Sequence, residues 1–247
     1  IEPTYDAPLL EHNTFGIKAK ARMFFTYDSE ASLREVLGFI HRQHAGLPVL
    51  HIGCGSNLLF LGDYPGIVLK SAIKGIRLLE GDDSHVLVET GAGELCDDFI
   101  AHSLRQGWYG MENLSLIPGQ VGAAAVQNIG AYGIEACDVV HEVRGISLQD
   151  GTERRWKRDE CGYAYRRSIF KTKLWGKYAR SSPTLSCRAM PAASSRILLC
   201  RRSRQKGCFA SWKPALHGSL HSPCIPMKSW KGWLIIRKRP GQRYSAE

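Results

Sequence analysis

Three short stretches carry residue types and spacings that could do chemistry. The first, Gly53-Cys54-Gly55-Ser56-Asn57 with Leu58 behind it, gathers backbone N–H groups, a hydroxyl and a carboxamide into one turn. That combination binds a phosphate, although a plain β-turn has the same composition. The second is SLIPGQVGAAAVQNIGAYG, residues 115–133, in which five of the seven residues from 119 to 125 are Gly or Ala. Small residues bury little apolar area and Gly costs backbone entropy, so the run suits a flat or charged group lying against the main chain better than a core. The third is Tyr165-Arg166. A planar, permanently charged guanidinium can hold a carboxylate bidentately; the alternative for Arg166 and Arg167 is a solvated surface charge.

The elements that must position these stretches are readable from periodicity. Ser29 is placed to cap a helix in which Leu33, Val36, Leu37 and Ile40 form one apolar stripe, with Arg34, Glu35 and His41 facing elsewhere. Residues 47–52 read as a buried strand running straight into Gly53. Leu58-Leu59-Phe60-Leu61 looks like a further strand. With Leu58 in the place of the last glycine and no helix following, the turn is not the G-x-G-x-x-G dinucleotide motif. A Tyr64-Pro65-Gly66 turn precedes a strand at 66–69, residues 86–89 alternate ahead of Gly91-Ala92-Gly93, and Leu95, Phe99, Ile100 and Leu104 give a second helical stripe. His102 reads as a partly exposed residue of that helix, and Cys54 as a small side chain in its turn. Strands at 143–148 and 153–157 flank Asp150-Gly151, a hairpin signal. Helices interspersed irregularly with hairpins indicate the α+β class.

Composition narrows the function classes. The net charge of +10 invites a nucleic-acid partner, but residues 1–179 hold 19 Lys and Arg against 22 Asp and Glu, leaving 14 against one for residues 180–247. The basicity belongs to the tail, so no nucleic-acid partner is expected. No stretch approaches the roughly 18 consecutive apolar residues of a membrane span, and no secretory signal is visible. A cytoplasmic protein without a membrane partner is the expectation. The eight cysteines form no C-x-x-C pair, which argues for reduced thiols and no metal. Nothing in the sequence sets an oligomeric state.

Residues 13–17 (NTFGI), 53–60 (GCGSNLLF), 91–93 (GAG), 112–122 (ENLSLIPGQVG), 127–133 (QNIGAYG) and 165–171 (YRRSIFK) fall in one order. Over about residues 13–178 the chain resembles the UDP-N-acetylenolpyruvoylglucosamine reductases, also called UDP-N-acetylmuramate dehydrogenases. The resemblance implies an FAD-binding fold similar to vanillyl-alcohol oxidase, with two α+β subdomains and, in the family, a third for the substrate. It implies FAD as cofactor, NADPH as hydride donor and a UDP-sugar as substrate. The family reaction reduces UDP-N-acetylglucosamine enolpyruvate to UDP-N-acetylmuramate in peptidoglycan synthesis. By the same resemblance Gly53, Cys54, Gly55, Ser56, Asn57 and Leu58 clasp the pyrophosphate. Ile117, Pro118, Gly119, Val121, Gly122, Ala123 and Ala124, with Gln127, Asn128, Ile129, Gly130, Ala131 and Tyr132, line the cofactor. Ala123 and Ala124 stand where some members carry Ser, which leaves backbone amides to make those contacts. Arg166 matches the active-site arginine, and Tyr165 packs near the flavin or bonds the substrate. A flavin subunit of a molybdenum hydroxylase shares the fold type, but residues 127–133 fit it less well.

The resemblance ends after Ala179. The boundaries are 1–70 and 71–179 for two FAD-binding subdomains, and 180–247 for a non-matching basic tail expected to be disordered or poorly folded. In that tail neither a helical nor a strand period persists, apart from a short apolar run at 233–236. The family's Asn-x-Gly-Ser-Phe-Phe-Lys-Asn-Pro motif, which carries the proton-donating serine, and its C-terminal glutamate have no counterpart here. The substrate domain is thus expected to be missing or replaced. Enrichment in Ser, Arg, Pro, Cys and Trp fits a frameshifted reading of a gene; scattered cations without a helical face fit an evolved nucleic-acid or lipid-binding extension less well. Two functions remain in competition, the reductase and a catalytically incomplete FAD-binding fragment.

Overall fold

The computed structural model describes residues 1–172 and 194–201, with Thr172 and the last eight as backbone alone. In chain order the elements are β1 (Thr4–Pro8), β2 (Lys20–Tyr27), α1 (Glu30–Gln43), β3 (Val49–Ile52), β4 (Tyr64–Ser71), β5 (Ile76–Gly81), β6 (His85–Gly91), α2 (Cys96–Arg105) and β7 (Trp108–Tyr109), followed by α3 (Val121–Gln127), β8 (Gly130–Ala131), β9 (Ile134–Glu135), β10 (Val140–Ile146), β11 (Glu153–Lys157), α4 (Ile169–Thr172) and β12 (Ser194–Arg201). The first sheet has the order β1-β2-β4-β3, in which β1 runs antiparallel to β2 while β2, β4 and β3 are parallel. The second has the order β11-β10-β12-β6-β5 and is antiparallel throughout, with β7 also pairing β12.

Two faces of the first sheet are buried, which explains why its strands are apolar on both sides. One face meets α1. Ser29 accepts a hydrogen bond from Ser32 N–H at 3.1 Å and caps that helix, and Leu33, Val36, Leu37 and Ile40 all face Phe25, Tyr27, Ile67 and Leu69. The other face carries Phe24, Leu50, Ile52, Tyr64 and Val68, covered by Leu58 and Phe60. Leu58–Leu61 therefore differs from its expectation as a strand. Leu58 and Phe60 are buried and Leu59 and Leu61 exposed, so the alternation is real, but the segment lies over the sheet face and joins no ladder among the described residues.

Three further expectations change. Tyr64-Pro65-Gly66 is not a turn but the start of β4. Pro65, which has no N–H to donate, sits where the β2 pairing shifts register, and Gly66 lies so close to the Pro48 carbonyl that a Cβ would stand 2.2 Å from it. In α2, Leu95 and Leu104 are exposed, while Cys96 and Ser103 join Phe99 and Ile100 inside; Ser103 Oγ satisfies itself on the Phe99 carbonyl at 2.9 Å. Within the segment expected to lack regular structure, Ser194–Arg201 forms a strand between β10 and β6. Strand pairing there is a matter of backbone donors and acceptors, which side-chain periodicity reports poorly. The rest of the 180–247 tail, including Trp212, Trp230 and the 233–236 run, lies outside the described residues.

The Asp150-Gly151 signal does form its hairpin: β10 and β11 pair antiparallel, Ser147 N–H donates to Thr152 O at 2.9 Å, and Gly151 has a φ of +69°. That hairpin leans on α1, with Arg144 ion-paired to Glu30 and His41 Nε2 3.0 Å from Leu148 O.

One buried polar pair makes stability depend on pH. Tyr27 Oη lies 2.6 Å from His51 Nε2 in the α1-facing core, and burial pushes the His51 imidazole down to about 3. Above pH 6.5 the folded and unfolded forms are both neutral at this site. As pH falls from 6.5 towards 3 the unfolded chain gains the proton first, so stability is lost across that window, by up to about 1.4 kcal/mol per unit. The urea midpoint should fall between pH 6.5 and 4.5, and His51→Gln should flatten that slope relative to wild type. An unchanged slope in the variant would remove His51 from the account.

Candidate functional site

The turn at 53–58 leaves the carboxyl end of β3, the end of parallel strands at which ligands gather in open sheets. Gly55 has a φ of +70°, and a Cβ there would stand 2.0 Å from the His12 carbonyl oxygen; only glycine lets the turn lie against residues 12–13. Asn13 braces that wall. Its amide donates to Leu9 O at 2.6 Å and Ile17 O at 3.1 Å, and its Oδ1 accepts from Ile17 N–H at 2.9 Å. Leu58 N–H closes the turn on Gly55 O at 3.3 Å. Inside it, Ser56 Oγ is buried with no hydrogen-bond partner among the described residues, at a cost of about 1–3 kcal/mol unless a ligand supplies the bond. Burial pushes the Cys54 thiol up, against a downward pull from Lys70 and Lys74, so Cys54 stays a neutral side chain at neutral pH.

On its other side the turn meets the start of α3. A Cβ on Gly53 would lie 3.2 Å from Gln120 Oε1 and 3.3 Å from the Ala123 Cβ, so the two glycine-rich stretches of the sequence lie side by side with no room for a side chain between them. Gln120 is buried, and its Nε2 donates to Ser71 O at 3.0 Å and Gly93 O at 3.2 Å. One amide thus joins the end of β4, the loop after β6 and the head of α3. Sequence reasoning gave Gln120 no role. A single carboxamide in a run of Gly and Ala is the signal that marks it.

The small residues of α3 serve two purposes. Gly122 is turned inward, where a Cβ would be 2.8 Å from the Ala92 Cβ, and Val121, Ala124 and Val126 are buried in the core. The helix start spends its amides on protein: Val121 N–H donates to Glu94 O at 2.9 Å and Gly122 N–H to Ala92 O at 3.1 Å. Val121, Gly122 and Ala124 thus pack against the protein, and the amides of Val121 and Gly122 are already bonded within it. Ala123 and Gln127, four residues apart and partly exposed, form the open side of the helix. Ile117 is half-buried against the second sheet's core and Pro118 is exposed, while Gly119 has a φ of +153° with open space where a Cβ would be.

A second cluster forms at the other end of α3, about 10 Å away at 1.5 Å per residue. Asn128 has a φ of +47° and is fully buried. Its Nδ2 donates to Glu135 Oε2 and Ala164 O, both at 2.9 Å, and its Oδ1 accepts from Cys137 N–H at 3.0 Å, so the side chain is committed to scaffold. Ile129 is half-buried beside it, and Gly130 and Ala131 form β8. The Arg166 guanidinium donates to Gly130 O, which brings together two predicted site residues 36 positions apart. Arg166 sits at the tip of a tight turn closed by Ala164 N–H on Arg167 O at 3.1 Å and Arg167 N–H on Ala164 O at 2.8 Å. Both Arg166 (φ +52°) and Tyr132 (φ +51°) adopt left-handed backbone, about 1–2 kcal/mol above ordinary conformations for side-chain-bearing residues. Tyr165 and Tyr132 are 82% and 80% exposed, and the Arg166 guanidinium carbon stands 5.8 Å from the Tyr165 ring centre. Among the described residues no group of three His, Cys, Asp or Glu is placed to hold a metal, and no helix is long and apolar enough to cross a membrane.

A glycine turn at the carboxyl end of β3, a small-residue helix against it and an arginine turn beyond it are the candidate site of an α+β fold. The FAD binding domain family model matches residues 21–156, and the chain belongs to that family. The chain is 49% identical over 163 residues to the UDP-N-acetylenolpyruvoylglucosamine reductase of Bacteroides fragilis (strain YCH46), a match covering 66% of this chain and 48% of that protein. It spans about half the length of the curated relatives it matches. Its fold is similar to the crystal structure of UDP-N-acetylenolpyruvylglucosamine reductase from Thermus caldophilus, with a TM-score of 0.57 at 22% identity over 81% of this chain and 62% of that one. It is also similar to cholesterol oxidase from B. sterolicum, with a TM-score of 0.50 at 9% identity over 81% and 37%. The fold is the FAD-binding one of the vanillyl-alcohol oxidase type. The residues present fit FAD: the orphaned Ser56 hydroxyl and the turn pressed against His12 make a cradle for a pyrophosphate.

Gln120→Leu should lower stability by about 1–3 kcal/mol by leaving the Ser71 and Gly93 carbonyls without their donor. Urea unfolding measures it, and an unshifted midpoint would contradict the tether.

Proposed function

We propose that this chain is the FAD-binding part of a cytoplasmic UDP-N-acetylenolpyruvoylglucosamine reductase, which uses NADPH to reduce UDP-N-acetylglucosamine enolpyruvate to UDP-N-acetylmuramate. The observation that carries the reading is the close approach of Gly53 to the head of α3, where an added Cβ would stand 3.3 Å from the Ala123 Cβ, in a chain 49% identical over 163 residues to a reductase relative. Residues 1–70 and 71–179 act as the two FAD-binding halves, a division supported by the break between Ser71 and Ile76 where one sheet ends and the next begins, with β12 from beyond residue 179 joining the second sheet.

Each cluster has its task. The 53–58 turn binds the pyrophosphate through its amides and the Ser56 hydroxyl, and Ala123 and Gln127 keep the side of α3 open for the rest of the cofactor. Bound FAD supplies hydride transfer from NADPH to the substrate's vinyl carbon. As the enolpyruvyl group is reduced, charge would develop on its carboxylate, and the Arg166 guanidinium, released from Gly130 O, would hold it until the neighbouring carbon takes a proton, which solvent must supply because the family's serine has no counterpart in this sequence. The left-handed turn keeps Arg166 at an exposed tip, where a substrate can reach it.

A second reading, an FAD-binding fragment without turnover, is favoured by the composition break after Ala179 and by the missing serine and glutamate motifs. Under it residues 180–247 are an out-of-frame translation; a Gly-Ser-Phe-Phe-like segment in another frame of the coding DNA supports this, and its absence from both frames rejects it. The functional test is spectroscopic. Purified protein should show bound flavin that bleaches with NADPH without oxygen. Reoxidation by the enolpyruvyl UDP-sugar, slowed at least about 100-fold in Arg166→Met, establishes the reductase. Bleaching without reoxidation establishes the fragment, and no flavin and no bleaching would reject both.

A further inference from the structure

The clasp has a cation beside it that no motif contains. Lys70 lies near the end of β4, paired in register with Ile52 of β3, the residue from which the chain enters Gly53. It shares a sheet face with Tyr64 and Val68, the face on which Leu58 closes the turn. Its ammonium is 3.3 Å from His12 Nδ1. An ammonium has only donors, so Nδ1 must accept, and the imidazole proton resides on Nε2. Burial first, and then the Lys70 charge, hold His12 below its ordinary pKa, which keeps that acceptor neutral at neutral pH. The ring is further fixed by stacking on Phe24, with centroids 4.4 Å apart and planes 17° apart.

Two observations connect this pair to the clasp. The carbonyl oxygen of His12 is the atom against which Gly55 packs, and the Lys70 charge acts on the Cys54 thiol within the turn. The neighbouring lysine differs: Lys74 is 3.2 Å from Glu94 Oε2. Among the described residues no carboxylate pairs with Lys70, and a half-buried ammonium whose neighbour is a neutral imidazole is a charge awaiting an anion.

We propose that Lys70, positioned by His12, is the fixed cationic contact of the FAD diphosphate in this chain. The inference rests on the FAD reading above. The turn supplies neutral donors and a hydroxyl; Lys70 supplies the charge-assisted bond, and His12 selects its rotamer without competing for the anion.

The test is the FAD dissociation constant of the full chain, stripped and re-titrated, from quenching of flavin fluorescence at low and high salt. Lys70→Met should raise it about 10- to 100-fold and flatten its salt dependence, while Lys70→Arg should retain most of the affinity. His12→Phe keeps the stack but removes the acceptor. It should weaken binding less than Lys70→Met and add little in the double variant, an interaction that a purely structural role for His12 would not produce. Lys157→Met, a charge removed from the β10–β11 hairpin, is the control. A Lys70→Met titration matching wild type or Lys157→Met overturns the proposal alone; wild-type protein that binds no FAD overturns it together with the cofactor reading.

Discussion

At Gly55 two main chains meet without room for a side chain. A Cβ would stand 2.0 Å from the His12 carbonyl, and the φ of +70° is closed to most residues. The surrounding structure follows from that approach. The 53–58 turn must lie flat on the wall built by Asn13, which aims Ser56 inward and lets Leu58 and Phe60 cover the first sheet's open face. On its far side the turn runs beside Gln120 and Ala123, and Gln120 fastens the first sheet to the loop before α2. A clasp made of backbone is only as well placed as the elements it leans on.

That dependence explains the division of labour along α3. On its inner side Gly122 lacks a side chain, so that the helix can approach Ala92, and its first amides are spent on Glu94 O and Ala92 O. Its outer side, Ala123 and Gln127, is small or flexible and stays open. The residue that follows it, Asn128, divides its amide between the 135–137 segment, through Glu135 and Cys137, and the turn that presents Arg166, through Ala164 O. The seven residues of α3 thus set the separation between the 53–58 turn and the turn that carries Arg166.

Much of this is legible in the sequence because it follows local rules. The Ser29 cap and the stripe of α1, the Asp150-Gly151 hairpin and the two glycine stretches each depend on residues close in the chain. Where the reading differed from the structure, a distant partner decided. Leu58–Leu61 alternates like a strand, yet the sheet face beneath it takes up its apolar side chains. Pro65 reads as a turn until the register shift against β2 supplies a place without a donor. The Gly and Ala of α3 read as a surface for a ligand, and the structure adds that Gly122 also lets the helix lie against Ala92. Gln120, His12 and Lys70 were missed because nothing in their immediate sequence says what they face.

Hydrogen exchange at the turn tests the central claim, that residues 53–57 are the pyrophosphate clasp, more directly than any activity. The amides of Cys54, Gly55 and Ser56 should gain protection when FAD is added to the stripped protein, with those of Val121 and Gly122, already bonded to Glu94 and Ala92, changing little. Protection that appears elsewhere while the turn exchanges as before would contradict the account.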